Sequence, residues 1–164
     1  MRAAALTAAA VFALDQGTKV WIVHGLDLKS RFAIDVWPPY LNLRMAWNTG
    51  VNFGLFSHGS ELVRWGLVGL SLAVALGIWL WVRGLPPRPV VRVSAGLLVG
   101  GALGNALDRV LYGAVADFLN MSCCGWRNPW AFNVADVAIF AGAFGLLLFA
   151  GRETAGGAGP DKTP

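Results

Sequence analysis

The chain has 164 residues, of which 56% are hydrophobic and 13% charged, with a formal net charge of +4. A soluble domain carries about 25% charged residues, so an ordinary water-surrounded fold is excluded, and the length allows a single domain. The positive charges are too sparse and scattered for a nucleic-acid surface, and anionic lipid headgroups are the better counter-charge.

A hydrocarbon core of ~30 Å takes ~20 helical residues to cross, and four stretches approach that length. The first, residues 3–23, is interrupted by Asp15 and Lys19. Arg2 ahead of an apolar run resembles a cleaved leader, but the two charges come too soon and three further spans follow. A long connection over residues 25–60 follows. There Leu41, Leu43 and Met45 alternate with Asn42 and Arg44, which predicts a strand lying on the membrane surface, and Asn48-Thr49-Gly50 predicts a turn. The second span, 65–82, has no charge. The third, 93–111, ends on Asp108 and Arg109, and its Gly96, Gly100 and Gly104 form a small-residue stripe. Such a stripe lets a neighbouring backbone approach closely, and is expected to seat this span against the helix bearing Asp136. The fourth span, 131–151, has Asp136 as its only charge. The spans belong to one domain over residues 1–152. Residues 153–164, rich in Gly with Pro160 and Pro164, are expected to be a disordered cytoplasmic tail.

Six of the eight tryptophans (21, 65, 79, 81, 126 and 130) fall at or just beyond span ends, where interfacial aromatic belts form. Arg83, Arg88 and Arg92 occupy the short connection between the second and third spans, and Arg152 and Lys162 the tail. Lys29, Arg31 and Arg44 in the long first connection are offset by Asp27 and Asp35. Positive-inside bias therefore puts both termini in the cytoplasm and the first and third connections outside.

Charge inside a membrane is costly enough to mark function by default. With this topology Asp15, Asp108 and Asp136 all lie in the outer halves of their spans, and Asp117 follows the third span on the same side. Asn105 and Asp108, and likewise Asn133 and Asp136, are three apart and share a face on any helix. The structural alternatives weigh heavily for two sets: Asp15 and Lys19 neutralise each other at helical spacing, and Asp108 with Arg109 anchors a helix end. For Asp117 and Asp136, spacing leaves catalysis and structure open. Cys123 and Cys124 are adjacent, a poor geometry for an unstrained bridge, and His24 and His58 are isolated without a metal-binding motif. No metal or cofactor is implied.

Four segments in order resemble the lipoprotein signal peptidase (signal peptidase II) family. They are residues 15–19 (DQGTK), 48–54 (NTGVNFG), 100–109 (GGALGNALDR) continuing to 115–118 (VADF), and 132–136 (FNVAD). The resemblance covers residues 11–150. It implies a membrane all-α fold of four transmembrane helices, with an extracytoplasmic β-rich cradle over residues 25–60 and a short outer helix. It further implies an aspartyl endopeptidase of the bacterial cytoplasmic membrane, active near the outer leaflet, that cuts diacylglyceryl-prolipoproteins just before the lipidated cysteine. The family's catalytic aspartates match Asp117 and Asp136. Asn48, Gly50, Asn105, Arg109 and Asn133 match substrate-contacting or supporting positions, and Asp15, Lys19 and Asp108 match supporting ones. Asn52, Ala116 and Val137 depart from the common pattern, as does the insert at 121–128. The expected partners are the prolipoprotein substrates and membrane lipids, with the chain taken as a monomer.

The chemistry is coherent: two close carboxyls share a proton, one activating water while the other protonates the scissile carbonyl and leaving amide. A proton-coupled transporter would place its acids near the midplane on a path open to both sides, and here the inner half has none. A structural subunit would explain the glycine stripe but not polar clusters gathered on one leaflet. A Ser/Lys peptidase is disfavoured because none of Lys19, Lys29 and Lys162 has an evident serine partner.

Overall fold

A computed structural model describes residues 1–50 and 61–151. Residues 51–60 of the expected cradle, which include 51–54 of the second resembling segment, and the expected tail over residues 153–164 lie outside the described residues. Four long helices bundle beneath a small sheet. Helix α1 (Arg2–Lys19) is rich in alanine, the strongest helix former, and it continues as a π-helical stretch over Val20–Gly25. A short helix α2 (Leu28–Arg31) leads into strands β1 (Ala33–Trp37) and β2 (Leu41–Asn48). Helices α3 (Glu61–Arg83) and α4 (Pro89–Tyr112) follow, then β3 (Val115–Met121) and α5 (Val134–Phe149).

Local chemistry sets the ends of α4. Pro89 occupies the first turn, where a missing N–H costs nothing, and Gly113 terminates the helix at φ +78°. The chain then turns straight into β3. The sheet is antiparallel in the order β1-β2-β3, with β2 in the middle. Its β2–β3 register shifts between Leu43 and Ala46, after which Ala46 pairs with Asp117 and Asn48 with Val115. The strand expected around residues 41–45 is therefore present and runs to Asn48. The connection after α4 adds a strand that carries Asp117.

Helix α4 is central, packing against α1, α3 and α5. The glycine stripe works differently from expectation. A Cβ on Gly96 would meet the Ala4 carbonyl oxygen at 2.6 Å, one on Gly100 the Ala8 carbonyl oxygen at 2.6 Å, and one on Gly104 the Asp15 carboxylate at 2.6 Å. The stripe thus seats α1, not the helix bearing Asp136. That helix is met by Gly101, whose added Cβ would lie 2.5 Å from the Ala135 carbonyl oxygen, and by Gly142, 2.5 Å from that of Ser94. One residue is ~100° of helix rotation, so successive glycines of the Gly100-Gly101 pair serve different neighbours.

Outside the bundle core the usual polarity is inverted. Phe140 and Leu147 of α5 are 77% and 78% exposed, while Asp15, Asp108 and Asn133 are fully buried. That is the surface of a protein solvated by lipid. Among the described residues two helices, α3 and α4, are long and apolar enough by themselves to cross a membrane. The expected spans 3–23 and 131–151 are shorter as helices. The first carries Asp15 and Lys19 and changes to π-helix after Lys19. The last cannot start before its cap at Asn133, leaving 16 helical residues. Beneath the sheet, Ile22, Val23, Leu28, Leu43, Ala116 and Phe118 form a separate apolar cluster that fixes the sheet to the end of α1.

Candidate active site

Where the sheet meets the helices, one asparagine ties two carboxylates together. Asn133 is extended (φ −131°, ψ 179°) and caps α5: its Oδ1 accepts from the Asp136 backbone N–H at 2.9 Å, while its own N–H donates to Asp136 Oδ2 at 3.2 Å. This reciprocal capping box follows from the Asn-x-x-Asp spacing. It leaves the Asn133 Nδ2 free to donate to Asp117 Oδ1 at 2.6 Å and to Asn105 Oδ1 at 3.2 Å. Asn105 in turn donates from Nδ2 to Asp136 Oδ1 at 2.9 Å. The second oxygen of Asp117 accepts from Asn48 Nδ2 at 3.0 Å, and Asn48 Oδ1 accepts from the Gly50 N–H at 2.9 Å, with Gly50 at φ +82°. Such an Asx turn needs the left-handed conformation glycine supplies. Four elements, β2, α4, β3 and α5, thus converge on two acids.

Burial pushes the Asp117 carboxyl up from its ordinary value of 3.8 to about 6, aided by the charge of Asp136 and opposed by the amide donors of Asn48 and Asn133. A carboxyl that keeps its proton to near-neutral pH beside a second carboxyl is the arrangement for shared-proton acid–base chemistry.

Behind these acids lies a buried charged layer. Lys19 Nζ contacts Asp15 Oδ2 at 2.7 Å and Asp108 Oδ2 at 2.8 Å, and Asn105 Oδ1 at 3.5 Å. Asp15 Oδ1 accepts from the Ala135 N–H at 3.0 Å, at the start of α5, and Asp108 Oδ2 from the Ala116 N–H at 3.0 Å, next to Asp117. The expected Asp15–Lys19 pairing is therefore present, and Lys19 is shared with Asp108. Arg109 donates to the Asn105 carbonyl at 3.2 Å and lies within electrostatic reach of Asp117, Asp108 and Asp136, while its buried Nε has no partner among the described residues. Every site residue singled out from the sequence thus falls into one connected region.

Two residues escaped the sequence reading. Gln16 Nε2 bridges Asp15 Oδ2 at 3.1 Å, Asp108 Oδ1 at 3.0 Å and the Gly104 carbonyl at 3.3 Å, joining α1 to α4. Its place beside Asp15 in the DQGTK segment was the available signal. Arg64 donates from Nε to the Arg109 carbonyl and from Nη2 to that of Val110, both at 2.7 Å, capping α4 from α3. No pattern in the sequence marks it.

The family model described as signal peptidase (SPase) II matches residues 7–151. A lipoprotein signal peptidase of Methylobacterium sp. (strain 4-46) is 46% identical over 142 residues, 87% of this chain and 84% of the relative. One from Methylobacterium radiotolerans is 44% identical over 149 residues, 90% of this chain and 84% of the relative. Among solved structures, a bacterial membrane enzyme at 1.9 Å resolution superposes with a TM-score of 0.77 at 25% identity, covering 93% of this chain and 95% of its own. A second, at 2.3 Å, also gives 0.77 at 24% identity, over 100% and 95% of the two chains, and attests the shared fold. With a match across nearly its whole length and the resembling segments gathered around two carboxylates, the chain belongs to the signal peptidase II family.

Proposed function

We propose that this protein is an aspartyl endopeptidase of the bacterial cytoplasmic membrane that removes signal peptides from diacylglyceryl-modified prolipoproteins, cutting before the lipidated cysteine, with Asp117 and Asp136 as its catalytic pair. The observation that carries the assignment of the pair is Asn133, whose side chain and backbone hold both carboxyls at once. In this reading the two carboxyls share one proton at rest, and Asp117 is the one that burial pushes up. Asp136 takes a proton from water as it attacks the scissile carbonyl, and Asp117 protonates the carbonyl oxygen. Collapse of the tetrahedral intermediate returns a proton to the leaving amide. Asn48, Asn105 and Asn133 fix the carboxyl rotamers, and Arg109, with Gly50 nearby, faces the peptide backbone. Asp15, Lys19 and Asp108 form the charged base that positions β3 and α5.

The chain is further read as one monomeric domain over residues 1–152 that crosses the membrane four times, both termini in the cytoplasm and the sheet outside. What supports this is the lipid-facing surface of α5, its length of 16 residues with Asp136 as the one charge (about 24 Å at ~1.5 Å per residue) and the seating of α1 in the glycine stripe of α4. Signal-peptide apolar residues then lie along the helices and the mature segment under the sheet.

The test is cleavage of a purified diacylglyceryl prolipoprotein by wild type, Asp117→Asn and Asp136→Asn in matched detergent. Both variants are expected to fold and to lose activity by at least ~10³-fold, the scale of an acid–base pair. Normal cleavage by either variant overturns the pair, and no cleavage by wild type overturns the peptidase reading.

A further inference from the structure

A cavity opens on the sheet, lined by neither of the two acids. It measures about 530 Å³ and is lined by Asp35, Asn42, Arg44, Asn120, Ser122 and Arg127, among others. None of these belongs to the network described above. The size falls in the range of small-ligand sites.

Its chemistry is mixed in sign. Arg44 Nη2 pairs with Asp35 Oδ1 at 2.5 Å, whereas Arg127 has no ion-pair partner among the described residues, so the lining holds one uncompensated cation. Asn42 is only 7% exposed. Its Nδ2 is committed to the Pro39 carbonyl at 3.2 Å, which fixes the amide, and its buried Oδ1 has no hydrogen-bond partner among the described residues. Unsatisfied buried acceptors are uncommon and call for a donor. A fitting ligand therefore offers both an anion and a hydrogen-bond donor.

The rim indicates where that ligand comes from. Two loops frame the cavity, through Pro38-Pro39 and through Arg127-Asn128-Pro129. Each is flanked by exposed aromatics: Trp37 and Tyr40 (68% and 49% exposed) on one, Trp126 and Trp130 (62% and 63%) on the other. Large aromatic rings bracketing a polar hollow belong at a membrane–water interface, where the ring meets glycerol and acyl groups and the hollow meets headgroups. Arginine suits phosphodiester recognition because its planar fork donates two parallel hydrogen bonds.

We propose that this cavity binds the headgroup of a zwitterionic glycerophospholipid, an ethanolamine phospholipid, with Arg127 and Arg44 on the phosphodiester and Asp35 and Asn42 on the ammonium. The site holds the sheet against the outer leaflet and is separate from the lipid carried by a substrate. This rests on the membrane placement proposed above.

The experiment titrates the full chain in detergent with dihexanoyl phosphatidylethanolamine and follows tryptophan fluorescence. Dihexanoyl phosphatidylglycerol, O-phosphoethanolamine, inorganic phosphate and an acidic peptide serve as the other arms. Saturable binding of the ethanolamine lipid is expected, with O-phosphoethanolamine weaker and competing. Arg127→Gln should weaken it by about 10-fold, the loss of one charge-assisted contact. Asp35→Asn should abolish the preference over phosphatidylglycerol. Both positions are exposed, and an unchanged melting temperature shows that each variant folds. Unchanged affinity in folded Arg127→Gln, inorganic phosphate binding as well as the lipid, or an acidic peptide binding where the lipid does not each overturns the site. Prolipoprotein cleavage is scored on the same preparations. Its absence with lipid binding intact counts against the peptidase reading alone.

Discussion

Asp117 carries the most pH-sensitive energy among the groups outside the helices. The folded chain raises its pKa from 3.8 to about 6, so it binds this proton more tightly than the unfolded chain does. The contribution to stability is therefore full below 3.8, declines as pH rises towards about 6 and is lost above it, on the order of 3 kcal/mol in all. The melting temperature of wild type in detergent is expected to fall across that window, and Asp117→Asn to flatten the fall. A variant with the same pH slope would mean that another group titrates. For catalysis the same shift predicts an alkaline limb in kcat/KM near pH 6, belonging to the pair of carboxyls rather than to either one.

Lys19 is the other residue on which a local balance depends. It bridges two fully buried carboxylates, at 2.7 Å from Asp15 and 2.8 Å from Asp108. Replacing it with methionine leaves two buried negative charges facing each other, and breaking a buried pair this way costs about 3–5 kcal/mol. Lys19→Met should be recovered in low yield with a strongly lowered melting temperature. Lys19→Met combined with Asp15→Asn should regain part of that stability, whereas recovery no better than the single variant would show that charge is not the cause.

At the scale of elements, helix contact depends on side chains that are missing. Gly142 of α5 lies where an added Cβ would be 2.5 Å from the Ser94 carbonyl oxygen and 2.6 Å from the Leu98 N. Both are backbone atoms of α4, which cannot move aside singly. Gly142→Val should force the helices apart and, through α5, displace Asp136, costing at least ~1–3 kcal/mol as overpacking does. A melting temperature and cleavage rate equal to wild type would show that the helices can shift without disturbing the acids. Arg64 acts between elements in a different way, tying α3 to the last carbonyls of α4 beside Arg109.

The element boundaries show what is legible locally. The Asn133–Asp136 capping box, the turn at Asn48–Gly50 and the β2 strand follow from residue spacing, because each is closed by neighbours a few positions apart. The glycine stripe was legible as a packing surface, but its partner was not. A helix face is defined by sequence, whereas the helix that fills it depends on how the whole bundle closes, and here α1 took the stripe while Gly101 and Gly142 met α5. The strand at Val115–Met121 was missed because its pairing partner, β2, lies some seventy residues earlier.

For the whole molecule the proposed topology can be checked with residues the chain already has. Cys123 and Cys124 are free and exposed, beyond β3 on the side proposed to face outward. In intact spheroplasts a membrane-impermeant maleimide is expected to label the chain, and in inside-out vesicles it should not. The reverse pattern would invert the molecule, and labelling from both sides would contradict a fixed orientation.

Sequence by itself determined the solvent and the chemistry available. A chain with 13% charge and apolar blocks of near-span length has to face lipid, and the few acids it keeps there have to be neutralised or used. It also determined the local devices, because capping and turn formation need only neighbouring residues. Tertiary structure decided which acids meet. Asp117 and Asp136 come together because Asn133 spends its backbone on one and its amide on the other, and because Asp15, Lys19 and Asp108 hold α1, α4 and α5 in register behind them. Such contacts between residues up to 120 positions apart leave no periodic trace in the chain. They arise when buried polar groups must satisfy one another in a medium that offers no water.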